Sequence, residues 1–354
     1  MIDIESVVKD WETFFRNRVR GRRDLVDGYI RYVRALLSAD LPPIFELHHL
    51  SALTATEQYK LAGYVMNANA FYRSFSVPKR RGGSRKIDVP VPELLRVQKW
   101  ISNNILAKVP VSAAAHGFIR GRSIITNASV HVGQPMMLKM DLSSFFPSIS
   151  YKRGLAVFLR MGYPANVSFF LSSLCFKDGY LPQGSAASPI LSNIVAKRLD
   201  ARLLGLAQKE DLRYTRYADD IVFSGASIPS KVLDIATRVV SSEGFVVNHS
   251  KTQFVGPGTK KIITGISISN GKLALPRQQI RAIKQEAHFL LKYGYFSHVE
   301  VTGKFDPILI ERLLGRVAFW LQIDPKNAAA GRIFEQIGAY RESFDVEVVA
   351  SLQD

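Results

Sequence analysis

Two adjacent acids, Asp219 and Asp220, stand between a Tyr- and Thr-rich run, Tyr214-Thr215-Arg216-Tyr217, and the apolar run Ile221-Val222-Phe223. Aromatic and β-branched residues on both sides predict a hairpin with the carboxylates at or beside its turn. Neighbouring side chains on a strand point to opposite faces, so both carboxylates reach one ion only near a bend. Two unit charges about 4 Å apart repel by ~4 kcal/mol at an effective dielectric of ~20, and packing gives no reason to place them together. A pair of divalent cations turns that repulsion into a binding site; a solvated turn, where Asp is common, is the other reading. Far upstream, Asp141 ends the apolar run Met136-Met137-Leu138-Lys139-Met140. A strand ending in Asp delivers a carboxylate to a sheet edge. The alternative, an N-cap for the next helix, is weakened by Ser143, Ser144 and Ser150 as rival caps.

Cationic and small residues surround these acids in the sequence. Phe75-Ser76-Val77-Pro78 and Ile87-Asp88-Val89-Pro90 flank a Gly82-Gly83 turn carrying Lys79, Arg80, Arg81, Arg85 and Lys86, a basic hairpin suited to gripping phosphate or a solvated loop. His116-Gly117-Phe118-Ile119-Arg120-Gly121-Arg122 is a second basic, glycine-punctuated loop. Leu181-Pro182-Gln183-Gly184-Ser185 opens a long helix reaching residue 208, with small residues that let a ligand come close. His131 taken alone is more often a satisfied structural histidine than a catalytic one. All of these groups find a use in metal-dependent nucleotidyl transfer. There, acids hold two cations about 3.5–4 Å apart and cationic residues neutralise charge growing on the phosphates.

The elements that must position them follow from periodicity. Helices are predicted over 7–15 and 25–37, and from a capping box at Thr54-Ala55-Thr56-Glu57 to residue 72. Further helices are expected over 93–108, 151–161, 164–176 and 230–242. Strands are expected over 262–268 and 272–275 about an Asn270-Gly271 turn, with helices over 277–293, 307–323 and 327–340 after them. Lys and Arg number 47 against 30 acids, for a net charge of +17 spread along the chain, which favours a polyanion such as nucleic acid. There is no run of 18 apolar residues, no secretory leader and no convincing basic amphipathic anchor, so a soluble, cytoplasmic protein without a membrane partner is expected. The single cysteine, Cys175, excludes an intrachain disulfide and a Cys-rich zinc site, and is read as a core thiol.

Taken in order, these residues resemble the reverse transcriptases of the group II intron and retron branch. Val77-Pro78-Lys79-Arg80 with Arg85 resembles the fingers hairpin of that family. Asp141-Leu142-Ser143-Ser144-Phe145-Phe146 resembles motif A, and Leu181-Pro182-Gln183-Gly184-Ser185 motif B. Tyr217-Ala218-Asp219-Asp220 resembles motif C, and Gly244-Phe245 with Asn248 and Lys251 motif D. Asn127-Ala128-Ser129-Val130-His131 matches a retron signature, and Ile263-Thr264-Gly265 resembles its Val-Thr-Gly element with Ile in place of Val.

The resemblance implies an α+β right-hand polymerase: a helical N-terminal extension over 1–50, fingers and palm (antiparallel sheet plus helices) over 51–275, and a helical thumb with the tail over 276–354. It implies RNA-directed DNA synthesis on part of a cognate noncoding RNA, primed from a guanosine 2′-hydroxyl to give a branched RNA–DNA hybrid, in an antiphage system with a separate effector protein. Asp141, Asp219 and Asp220, with the Leu142 carbonyl, are then the ligands of two Mg²⁺ ions. Lys79 and Arg85 are expected to hold the dNTP triphosphate, Phe146 to exclude a ribose 2′-hydroxyl, Gln183 to line the nucleotide pocket, and Lys251 to give a proton to pyrophosphate. Arg120, Arg122, Asn127, His131, Arg277, Arg281, Arg312 and Arg316 are the expected nucleic-acid contacts. Another bacterial reverse transcriptase, group II-like or diversity-generating, and a non-catalytic RNA-binding scaffold are the rival readings.

Overall fold

The computed structural model describes residues 3–19, 21–79, 82–302 and 305–351. Arg80 and Arg81 of the basic hairpin therefore lie outside the described residues. The chain opens with helices α1 (Ile4–Arg18), α2 (Arg23–Ser38), α3 (Leu47–Thr54) and α4 (Gln58–Met66). The expected capping box does not form. Thr54 closes α3, its hydroxyl donating to the Leu50 carbonyl at 2.8 Å, and Ala55 turns the chain in the left-handed region at φ 47°. A short 3-10 turn then leads into the basic hairpin of β1 (Tyr72–Pro78) and β2 (Ser84–Pro90). Its turn uses Gly82 and Gly83 at φ 88° and 77°, which glycine adopts without steric penalty.

Helix α5 (Pro92–Asn104) has proline in its first turn, where the missing N–H is no loss. Ser123 caps α6 (Ile124–Ser129) with a reciprocal side-chain box to Thr126. After β3 (Met136–Ser143) come α7 (Tyr151–Arg160) and α8 (Ala165–Cys175). The long helix expected to reach residue 208 is divided at Ala196 into α9 (Ser188–Val195) and α10 (Lys197–Lys209). The acidic stretch forms β4 (Arg213–Tyr217) and β5 (Asp220–Gly225), followed by α11 (Lys231–Ser242), β6 (Val246–Val247) and β7 (Gln253–Val255).

Strand β3 is the spine. It pairs antiparallel with β5 on one side and with β6 and β7 on the other, and β4 lies beyond β5. Its Met137, Leu138, Met140 and Leu142 are all buried because both sheet faces are covered. One core holds Leu138, Met140, Phe223 and the apolar faces of α5 and α7 to α11. A second holds Met137, Val222 and Val255 against the C-terminal helices. That double coverage explains an apolar run that does not alternate.

The run from Ile262 turns earlier than predicted. Thr264 and Gly265 (φ 46° and 89°) fold β8 (Ile262–Ile263) onto β9 (Ile266–Ser267), and Asn270 and Gly271 make a second turn that brings Ala274 onto Ser267. Helices α12 (Arg277–Thr302), α13 (Leu309–Ile323) and α14 (Ala328–Ser351) complete the chain, α12 bending at Gly294 (φ 79°). Among the described residues no helix is long and apolar enough to cross a membrane. Cys175 is buried, and its thiol is pushed upward by that burial, as expected of a core residue.

Candidate active site

The register of β3 against β5 sets Asp141 directly opposite Asp220, and Asp219 occupies the turn between β4 and β5. Ala218 takes the first turn position at φ 55°, where glycine is the usual residue, at a penalty of about 1–2 kcal/mol. Three contacts hold it there. The Leu142 N–H donates to the Asp219 carbonyl at 2.9 Å, and the Arg216 guanidinium donates to the Ala218 carbonyl at 3.1 Å. Gly117 packs so close that a Cβ on it would stand 2.9 Å from the Ala218 nitrogen.

Arg216 is the group that sequence reasoning missed. Fully buried, it donates twice to Asp200 (2.7 and 2.7 Å) and once to Asn193 (3.0 Å), while the Tyr214 hydroxyl donates to the same carboxylate at 2.8 Å. The signal was present as an Arg in the middle of a Tyr- and Thr-rich strand, with Asp200 set between Leu199 and Ala201 on a helix. Pairing and full hydrogen bonding make such a burial tolerable and fix the turn that carries Asp219.

The three acids lie on the wall of one cleft of about 900 Å³, together with Leu142, Lys79, Arg85, Phe146, Gln183 and Lys251. Burial raises the Asp219 carboxyl, with Asp141 adding to the rise. Burial, then Asp219, then Asp141, push Asp220 up to about 6. Mutual repulsion of this kind is relieved by a cation. Lys251 supplies one, donating to both oxygens of Asp141 at 3.0 and 2.9 Å. Among the described residues no trio of acids, histidines or cysteines already stands in ion-holding geometry. The donor set is nevertheless all hard oxygen, three carboxylates beside a strand-end carbonyl, which suits a cation such as Mg²⁺.

The rim is built from three other segments. The hairpin β1–β2 brings Lys79 and Arg85 to the cleft, the Lys79 N–H closing the turn on the Gly83 carbonyl at 2.9 Å. The loop before α9 docks on β2, the Asp88 N–H donating to the Gln183 carbonyl at 2.8 Å. Gly184 (φ 135°) lies so close that a Cβ would meet the Asp88 oxygen at 2.4 Å. Phe146 is half-buried against Phe145 and faces Phe118 at 6.0 Å between ring centres. Phe118 was not singled out by the sequence reading. Held at φ 62° between Phe146 and Tyr217, it extends the aromatic wall of the cleft.

The expected nucleic-acid contacts divide. Arg120, Arg277 and Arg281 are exposed. Arg122 instead turns inward and donates to the carbonyls of Ser112, Ala113 and Ala115, pinning its own loop. Arg312 pairs with Glu286 and Asp306, and Arg316 with Glu286, so both arginines of α13 are already engaged. Asn127 and His131 are wholly buried and present no surface to RNA. His131 bridges Ser224 (2.6 Å) on β5 and Thr215 (2.8 Å) on β4, and burial lowers its pKa to about 3, so it stays neutral. Asn127 meets Thr264 at 3.5 Å, so the two signatures that suggested a retron protein touch across the β8–β9 turn as a structural joint.

The family described as reverse transcriptase (RNA-dependent DNA polymerase) matches residues 77–290. The retron Ec86 reverse transcriptase of Escherichia coli is 33% identical over 296 residues, covering 82% of this chain and 89% of that protein. The retron Mx65 reverse transcriptase of Myxococcus xanthus is 37% identical over 276 residues, 69% of this chain and 64% of the other. The retron Mx162 reverse transcriptase of the same organism is 33% identical over 298 residues, 74% of this chain and 59% of the other.

Proposed function

Since the chain belongs to the reverse transcriptase family, as an RNA-directed DNA polymerase of the bacterial retron group, we propose that it copies part of a structured noncoding RNA of its own system. Synthesis starts from a guanosine 2′-hydroxyl of that RNA and leaves a branched RNA–DNA hybrid. The protein acts in the cytoplasm, within an antiphage system that includes a separate effector protein. Residues 51–275 serve as fingers and palm, 276–354 as thumb and tail, and 1–50 as an extension.

The observation that carries the catalytic reading is the opposition of Asp141 and Asp220 across paired strands, with Asp219 in the adjoining turn. These acids and the Leu142 carbonyl are the groups that would hold two Mg²⁺ ions. When bound, such ions neutralise phosphate charge and lower the pKa of the attacking hydroxyl. Lys79 and Arg85 hold the triphosphate from the hairpin side of the cleft. The Phe146 ring excludes a ribose 2′-hydroxyl, and Gln183 lines the pocket that receives the base. Lys251, within reach of Asp141, is placed to move toward the leaving pyrophosphate and give it a proton.

Extension of a DNA primer on an RNA template with dNTPs and MgCl₂ tests the catalytic part, with Asp219→Asn lowering the rate by about a thousandfold or more. Equal rates in the two proteins would refute the assignment of the acids. Sequencing the nucleic acid that copurifies tests the rest, because branched, RNA-linked DNA is expected and its absence removes the priming proposal.

A further inference from the structure

A second cavity, of about 550 Å³, opens between α7, the start of α10 and the end of α11. It is lined by Arg153, Arg160, Arg198, Glu243 and Gly244 among others, none of which lines the polymerase cleft. Its charge is one-sided. Glu243, its side chain 5% exposed, is the single acid among the described lining residues, and it is already held by Arg198 (2.9 and 2.8 Å) and Arg202 (2.7 Å). Arg160, exposed at the last turn of α7, has no side-chain partner among the described residues.

Arg153 is more telling. Its guanidinium lies over the Phe245 ring at 4.6 Å, and its Nη1 is shut off from solvent without any hydrogen-bond partner. Gly244 leaves room at that edge, since a Cβ there would stand 3.4 Å from the same nitrogen. A buried guanidinium donor left unpaired is costly, and an arginine resting on an aromatic face still has its fork of donors to offer an oxyanion. Four guanidiniums around one fully engaged carboxylate leave an excess of positive charge among the described residues at this cavity.

We propose that this cavity is a second RNA site, in which Arg153 and Arg160 take a phosphate of the structured RNA while the cleft copies another part of it. The ligand chemistry is a phosphate oxyanion. RNA is favoured over an acidic protein segment because the exposed Lys152 and Lys197, next in the chain to Arg153 and Arg198, add to the positive charge of these helices and the enzyme's own template is RNA. This rests on the reading that the chain works on structured RNA. The site is separate from the active site, although its floor is shared: Phe245 stacks on Phe145 at 5.5 Å, next to Phe146.

The test is the salt dependence of binding of a fluorescein-labelled stem–loop RNA to the full chain, comparing the wild type with Arg160→Glu and with Arg153→Gln/Arg160→Gln. The expected result is a plot of log affinity against log salt less steep by about 1 for Arg160→Glu and by about 1–2 for the double variant. Extension of a short oligonucleotide template–primer stays at the wild-type rate. Unchanged slope and affinity in both variants would overturn the proposal and leave the cavity to an acidic protein or to solvent. Arg160→Glu alone decides the matter if the double variant fails to fold, since that side chain is exposed and unpaired. Stem–loops with a 5′-hydroxyl or a 5′-phosphate separate the phosphate sources: an equal response assigns the site to phosphodiesters, and a response confined to the phosphorylated probe assigns it to a chain terminus. A wild type that fails to extend the short primer would instead refute the polymerase reading, whatever the RNA slopes show.

Discussion

Replacing Asp220 by Asn should make the metal-free protein more stable at neutral pH while abolishing synthesis. The carboxyl is pushed from 3.8 up to about 6, first by burial and then by Asp219 and Asp141. A folded-state pKa above the unfolded value means that ionisation opposes folding. The penalty is complete above about pH 6, shrinks as pH falls through the folded pKa, and is gone below about pH 4, where the group is protonated in both states. Two pK units at ~1.4 kcal/mol each set a ceiling of about 3 kcal/mol, and solvent screening in an open cleft reduces this to about 1–2 kcal/mol. Asn keeps the shape and removes the charge. Thermal unfolding followed by circular dichroism in EDTA should therefore show the variant's midpoint about 2–4 °C above the wild type at pH 7.5, with the gap closing by pH 4. Added MgCl₂ should raise the wild-type midpoint and narrow the difference, since a ligand bound only by the folded state stabilises it. A variant less stable than the wild type at pH 7.5, or a gap that persists unchanged to pH 4, would refute the claim that the three acids repel one another in a shared site.

Two further substitutions probe the parts that hold the acids. Asp200→Asn leaves the Arg216 guanidinium buried without its counter-charge; a loss of about 3–5 kcal/mol is expected in urea unfolding, and a loss under about 1 kcal/mol would show that the pair does not anchor the turn. Gly184→Ala places a Cβ against the Asp88 carbonyl at a left-handed position, so a loss of about 1–3 kcal/mol together with a raised KM for dNTPs in steady-state extension is expected, and an unchanged KM would argue that this loop does not shape the nucleotide pocket.

The linear sequence carried the local placement of these groups. The acids at strand ends, the Gly-Gly basic hairpin and the small-residue loop before a helix are local patterns, set by side-chain period and turn chemistry over a few residues. The helical C-terminal region was legible for the same reason. Local pattern failed where long-range contacts compete. Thr54 satisfies a helix C-terminus rather than an N-terminus because α3 precedes it. The Ile262–Ile268 run folds on itself because Gly265 adopts a left-handed turn beside Thr264, which is braced against α6.

What the sequence determined by itself was the set of groups: three carboxylates, a basic rim and an aromatic side chain in the cleft, in an order that marks the family. Tertiary structure alone decided which groups face a ligand. Asn127 and His131 are buried, the latter bonded to Ser224 and Thr215, Arg122 is consumed by its own loop, and Arg312 and Arg316 by Glu286. Arg153, unremarkable in sequence, is left unpaired beside a cavity. The physical reason is that a charged or polar residue type reports only what it can bond. Whether it bonds the protein or something else depends on partners brought from distant parts of the chain, and those partners are set by packing.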